Sequence, residues 1–342
     1  MRMKLRSALP PFVRTEESVP AMLGTTAFAL CALLVIPTVR FGARPLVMAA
    51  VSVLTGLLCE LLFELLRGHV PSVGEASFAV TGLVTAMLVP VNAPLWLPCA
   101  ACAFGVLTVK MPFGGFGRSP FNPAAAGIAF ATVCWPKLMF SYLDPSEPFS
   151  LPPFADAAVK SAQSPAAVLK SGLKPDILPL DLLWGTAAGP LGTTAALVIG
   201  ACALLLFARR AARWEITVCF LGACALLAAL FPRIACSPMT SVKYELLTGS
   251  LLFCSVFMVT DPGTSPHTFP AGCLYGAFAG AALMVFRHFG AYEQGACFAV
   301  LLANAAAPVL EYAAERLRGQ APPLGAAKQG TAYGREGRIH ES

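Results

Sequence analysis

Apolar residues run along this chain in ten blocks, at about 21–38, 45–66, 76–91, 94–110, 120–135, 183–207, 214–232, 244–260, 269–287 and 292–312. Crossing roughly 30 Å of hydrocarbon takes about 20 helical residues, so the longer blocks predict membrane-spanning helices. Several blocks are shorter and are interrupted by Gly or Pro. Such segments predict broken helices, which membranes tolerate where the chain is buried in protein or lines a cavity. The strongest broken-helix patterns are 76–91, 120–135 and 244–262.

Ten spans place both termini on one side. The one long polar stretch, 136–181, is rich in Pro, Ser and Ala and divides the spans five and five. The "VTGLVTAMLVP" of 80–90 has a counterpart in the "LTGSLLFCSVFMVTDP" of 247–262, each a Thr-Gly opening followed by an apolar run into proline. "GIAFATV" and "CFAVLLANAAAP" occupy comparable fifth-span positions. An odd number of spans per repeat forces the copies into opposite orientations. The expected fold is therefore an all-α polytopic membrane protein of about ten transmembrane helices in two five-helix inverted repeats with broken helices. Its plan is a basic cytoplasmic leader (1–20), a first repeat (21–135), an extracytoplasmic loop (136–181), a second repeat (182–312) and a polar cytoplasmic tail (313–342).

Composition agrees: of 342 residues, 57% are hydrophobic and 12% charged, too few to cover a soluble fold. The formal charge of +6 sits in short clusters at the ends of apolar blocks, which suits topology better than nucleic-acid binding. Arg2, Lys4, Arg6 and Arg14 at one end, Arg316 and Arg318 at the other, and Arg209, Arg210 and Arg213 between them then share the cytoplasm. Arg40, Arg44 and the four lysines of 136–181 fall outside, against the trend. The leader has no cleavable-signal pattern, so the first helix is expected to stay. Most of the twelve cysteines lie in apolar runs and read as small hydrophobes, including the Cys99/Cys102 pair.

Charge inside an apolar block is costly, about 2.5 to 3.5 kcal/mol at a helix centre, and marks candidate function. Glu60 and Glu64 share one helix face; Arg67 lies near Glu64, whereas Glu60 is deeper and has no local partner. Asp261 sits in "MVTDPGTSP", where Pro262 ends any helix and Thr264 and Ser265 can satisfy freed backbone groups. It is either a stabilised helix end or a polar break that meets a cation or cofactor. In "FGGFGRSPFNPAAAG" (113–127), Asn122 followed by Pro123 is a helix-start signal. Free glycine amides beside Arg118 and Asn122 suit either a phosphate site or a tight turn between packed helices. His267 and His288 have no partner at metal-ligand spacing, so no metal is expected.

Four motifs, "VTGLVTAMLVPVNAPLWL", "KMPFGGFGRSPFNPAAAG", "FMVTDPGTSP" and "FGAYEQGACFAVLLANAAAPVLEY", stand in an order and spacing that resemble the family of the D subunit of the Rnf electron-transport complex. That family includes the B subunit of the sodium-pumping NADH:quinone oxidoreductase, and the resemblance spans roughly 20–316. It implies a bacterial or archaeal plasma-membrane subunit of a complex that passes electrons between ferredoxin and NAD and moves sodium ions or protons. It further implies other Rnf subunits and membrane lipid as partners, with no nucleic acid. The cofactors it implies are FMN, joined through its phosphate to a loop threonine, and a second, non-covalent flavin such as riboflavin. Glu60 and Asp261 match the family's ion-path acids, while Arg118, Asn122, Thr264 and Ser265 are expected near a flavin.

The attachment segment departs from the family pattern. Ser164 falls where the threonine should be, Ala158 replaces the aspartate, with Asp156 two residues early, and Thr193 stands where a glutamate is usual. Ser164 is the expected attachment site if FMN is joined at all. The alternatives are a flavin-free membrane scaffold and a solute channel or transporter of inverted-repeat type. No dinucleotide fingerprint or iron–sulfur cysteine pattern is present, so the chain is not expected to oxidise a substrate unaided.

Overall fold

A computed structural model describes residues 19–68, 76–143, 151–154 and 162–318; most of the expected leader and tail, and Asp156 and Ala158, lie outside these. The described residues are helical, with no strand beyond an isolated bridge between Tyr142 and Ala162. In order they form α1 (Val19–Phe41), α2 (Arg44–Leu66), α3 (Ser77–Met87), α4 (Trp96–Phe104, continued by a π-helical turn Gly105–Lys110), α5 (Pro123–Cys134), α6 (Pro136–Met139), α7 (Pro165–Lys170) and α8 (Pro179–Trp184). The remainder forms α9 (Ala196–Ala208), α10 (Trp214–Leu230), α11 (Pro238–Leu247), α12 (Leu251–Phe253, continued by a π-helical turn Cys254–Met258), α13 (Phe269–Phe289) and α14 (Ala296–Leu317). Four helices, α1, α2, α13 and α14, are long and apolar enough to cross a membrane; α3, α4 with its π turn, α5, α9 and α10 are shorter apolar helices.

The three segments expected to be broken hold short or interrupted helices. Helix α3 stops at Met87, and the carbonyls left free at its end are taken by a distant segment: Gly192 N–H donates to Met87 O at 2.8 Å and Leu191 N–H to Val89 O at 3.2 Å. That wedge, with Gly185 in left-handed backbone (φ 78°), delays α9 to Ala196. The second break separates α11 from α12 at Thr248–Ser250, where Gly249 has φ 65°. Arg287 satisfies the exposed backbone there, donating to Glu245 O and Thr248 O at 2.7 Å each. Freed carbonyls in a low-dielectric layer persist only with such partners. The third segment also holds a short helix, the 12 residues Pro123–Cys134 between the Gly/Pro loop and Trp135; Pro123 occupies its first helical position, where a missing N–H costs nothing.

Helices approach closely where glycine removes a side chain. A Cβ on Gly127 of α5 would lie 2.1 Å from Ala101 O of α4, and one on Gly276 of α13 would lie 2.4 Å from Ile216 O of α10. One buried apolar cluster runs through the bundle, from Leu30 and Met48 to Phe220, Leu283 and Val300. Tyr142, Ser164 and Glu293 collect at one end of the bundle, Ser77, Lys110, Asn122 and Asp261 toward the other.

Candidate functional site

At the Asp261 end the local chain is shaped by its glycines and prolines. Gly114, Gly115 and Gly117 all take positive φ (102°, 89° and 76°), a backbone that L residues rarely adopt. Their role is turn geometry, and they return the chain from α4 to α5. Asn122 then caps α5, its Oδ1 accepting the Ala125 N–H at 3.1 Å, as Asn-Pro predicts. After the π turn Cys254–Met258, Asp261 opens a tight turn in which its carbonyl accepts from Thr264 N–H and Ser265 N–H.

These two turns meet. Asn122 Nδ2 donates to Asp261 Oδ2 at 3.3 Å, Thr264 Oγ1 donates to the same oxygen at 3.4 Å, and Gly263 N–H reaches Oδ1 at 3.5 Å. All three are at the long end of the hydrogen-bond range. The Asn122 N–H donates to Asn304 Oδ1 at 3.0 Å, and Asn304 Nδ2 donates to the Tyr275 hydroxyl at 2.7 Å, which ties α5, α14 and α13 together. Beside them lies a cavity of about 30 Å³ lined by Ser77, Thr81, Lys110, Ser119, Asn122 and Asp261 among others. That is room for a few water molecules or a small cation. Arg118 is exposed and does not line it, so the expected Arg118–Asn122 pairing around a ligand is not formed. Ser265 is buried and bonded through its backbone to Asp261.

Glu60, without a partner on its own helix, acquires one from α4: Lys110 Nζ donates to Glu60 Oε1 at 2.5 Å and to Ser77 Oγ at 2.9 Å. Lys110, Asn304 and Tyr275 were not singled out by the sequence, although an asparagine within "LLANAAAP" and a lysine closing an apolar block are the residues that intramembrane cost should flag. His288 contacts the carbonyls of Met284 and Phe231, and no cluster of metal ligands occurs among the described residues.

At the opposite end Ser164 is 2% exposed and caps α7, accepting the Ala167 N–H at 3.0 Å while donating to Glu293 Oε2 at 3.0 Å. Gln294 Nε2 donates to the Tyr142 hydroxyl at 2.9 Å. Burial pushes the Glu293 carboxyl above its ordinary 4.5, against hydrogen bonds from Ser164 and Tyr142 that favour its charged form. The adjoining cavity, about 10 Å³, is lined by Ser164, Thr193, Thr194, Thr248 and Gln294 among others. Thr193 bonds back to Pro190 O. This arrangement does not fit a flavin phosphoester: there is no volume for a three-ring system, and the phosphate charge would face the Glu293 carboxylate. The cavity at Asp261 is likewise too small for a flavin ring, and Asn122 and Thr264 are already committed to Asp261.

A third polar group lies behind the α11–α12 break. Glu245 receives two hydrogen bonds from Arg233, at 2.5 and 2.7 Å, and one from Arg287 at 3.0 Å.

Comparison with known proteins gives the family of the chain. The D subunit of the ion-translocating oxidoreductase complex of Tolumonas auensis is 28% identical over 93% of this chain and all of the relative. The D subunit of the Na(+)-translocating ferredoxin:NAD(+) oxidoreductase complex of Acetobacterium woodii is 29% identical, covering 90% of this chain and 93% of the relative. The D subunit of an ion-translocating oxidoreductase complex of Escherichia coli is 30% identical, covering 80% and 86%. The model of the NQR2, RnfD, RnfE family matches residues 6–318. The chain belongs to the NQR2, RnfD, RnfE family.

Proposed function

We propose that this chain is the D-type membrane subunit of an Rnf-type complex that couples electron transfer between ferredoxin and NAD to the movement of sodium ions or protons. Its partners are the other subunits of that complex and the surrounding lipid. The observation that carries this reading is the match of the family over almost the whole chain, combined with a buried polar system, Glu60–Lys110–Ser77 and Asn122–Asp261, beside a cavity smaller than a solute transporter would need.

The fold is read as two five-pass halves of opposite orientation. Supporting this, Arg44 at the start of α2 donates to Val91 O and Ala93 O, in the loop after the third pass, while Arg213 just before α10 donates to Pro266 O, in the corresponding loop of the second half. In this reading Asp261 and Asn122 form the face that meets the ion, and Thr264 and Gly263 hold the carboxylate toward it.

A second reading concerns the electron carrier. The enclosed Ser164 hydroxyl, paired with Glu293, supports a subunit without covalent FMN, in which the other subunits carry the electrons and this one handles the ion. The purified complex in proteoliposomes tests the main reading: reduced ferredoxin and NAD should drive cation uptake, and Asp261→Asn should abolish uptake with the complex still assembled. Uptake undiminished in that variant would sink the assignment of Asp261.

A further inference from the structure

Lys110 is the least expected charge in the bundle. Its side chain is 2% exposed, it closes the π-helical turn of α4, and an isolated ammonium at that depth would cost several kcal/mol. It is retained by Glu60 Oε1 and Ser77 Oγ. Yet the same residue lines the 30 Å³ cavity whose other polar groups include Asp261 and Asn122. Its ammonium therefore touches the carboxylate of α2 and borders the space that the carboxylate after α12 also borders. Among the described residues, Lys110 is the one cation and Asp261 the one carboxylate that line this cavity; Glu60, which holds the ammonium, lies outside the lining. The Asp261 carboxylate has only contacts of 3.3 to 3.5 Å. The space beside it admits water or a small cation.

We propose that Lys110 is a tethered counter-ion that exchanges between Glu60 and Asp261, so that one monovalent cation at a time is accepted at the carboxylate the ammonium has left. In the present conformation Lys110 sits on Glu60, and Asp261 is the carboxylate open to a cation. Movement of the ammonium to Asp261 expels that cation and opens Glu60. A lysine suits such an exchange, because a compact charge on a flexible four-carbon stem can swing, whereas a planar guanidinium locks to one carboxylate. The π turn that ends in Lys110 marks a locally irregular backbone of the kind that recurs at functional sites.

The inference rests on the ion-translocation reading and is tested apart from it. The assembled complex is reconstituted, and uptake is followed with radioactive sodium and with a pH-sensitive dye, while assembly is checked on native gels. Wild type should take up one of the two ions; uptake of neither would overturn both the reading and the lysine exchange. In Lys110→Met the enclosure loses its positive charge, so the cation concentration for half-maximal uptake should fall about tenfold while the maximal rate drops strongly, because bound cation is no longer expelled. Lys110→Arg should assemble normally and transport poorly. Should Lys110→Met reduce assembly, the Glu60→Gln/Lys110→Met pair removes both charges, and the exchange predicts assembly with little transport. Full transport by that pair, or unchanged concentration dependence in Lys110→Met, would mean that Lys110 is a structural ion pair and nothing more.

Discussion

Ser164 Oγ donates to Glu293 Oε2 at 3.0 Å and accepts the Ala167 N–H at the same distance, so one hydroxyl both starts α7 and pins it to the loop between α13 and α14. Esterifying that oxygen would remove the donated hydrogen and set a phosphate against a carboxylate. The expected result is a subunit that shows no fluorescent band on a denaturing gel and an unmodified intact mass, even with a flavin-attaching enzyme co-expressed. A band in wild type that disappears in Ser164→Ala would overturn this and require the α7 segment to undock for attachment.

The same pair makes docking pH-dependent. Burial raises the Glu293 carboxyl in the folded chain above its ordinary value of 4.5, so the folded state binds a proton more tightly than the unfolded one. The stabilisation is complete below 4.5 and is lost as pH rises through the raised value. Protection factors in 162–172, the exchange rates corrected for base-catalysed intrinsic exchange, should therefore fall as pH rises above 4.5, and Glu293→Gln should remove that dependence. Protection that rises with pH instead would show that the hydrogen bonds to the charged form dominate.

Much of this was legible in the sequence, and the limits have physical causes. The apolar blocks located the helices because lipid exposure demands unbroken hydrophobic length, and Asn122-Pro123 located the start of α5 because a cap is a local interaction. The breaks after Met87 and Leu247 were legible from Gly and Pro alone, but their partners were not: Gly192 and Arg287 come from 105 and 40 residues away. Glu60 looked solitary because its cation, Lys110, lies on another helix. Arg118 shares a motif with Asn122 yet points elsewhere, since three positive-φ glycines turn the chain between them and α4. Motif membership fixes neighbours along the chain and leaves side-chain direction to the fold.

Glu245 is 1% exposed and pairs with two arginines, Arg233 and Arg287, at the break between α11 and α12. Removing one partner of a buried pair leaves the other charge uncompensated, which costs about 3 to 5 kcal/mol. Glu245→Gln should therefore lower the midpoint of thermal unfolding of the detergent-purified complex far more than Glu64→Gln, a change near the end of α2. Equal shifts for the two variants would mean that the arginines find water or lipid phosphate instead.

Asn122 has two roles that substitution can separate. Its Oδ1 caps α5 and its Nδ2 reaches Asp261. Asn122→Ser keeps a capping oxygen and loses the donor to the carboxylate; Asn122→Ala loses both. The alanine variant should be less stable than the serine variant by about 1 kcal/mol, the typical worth of a cap. Cation-dependent uptake should fall equally in both, because both release Asp261. If only the alanine variant loses uptake, Asn122 matters for the helix and not for the ion.

Read as two inverted halves, the chain should show a fixed sidedness. With the Ser164 end outside and the Asp261 end inside, α7 and the turn after α9 must lie on opposite faces of the membrane. Ser171 and Arg209 are both exposed and lie in those two turns. In a background free of native cysteines, Ser171→Cys should react with a membrane-impermeant maleimide in intact cells, and Arg209→Cys only after permeabilisation. The reactive pair also checks the arginine correspondence, because Arg44 lies at the Ser171 end and Arg213 at the Arg209 end. Labelling of both positions from one side would mean that α9 does not cross the membrane, which takes one pass from the second half and with it the five-and-five plan.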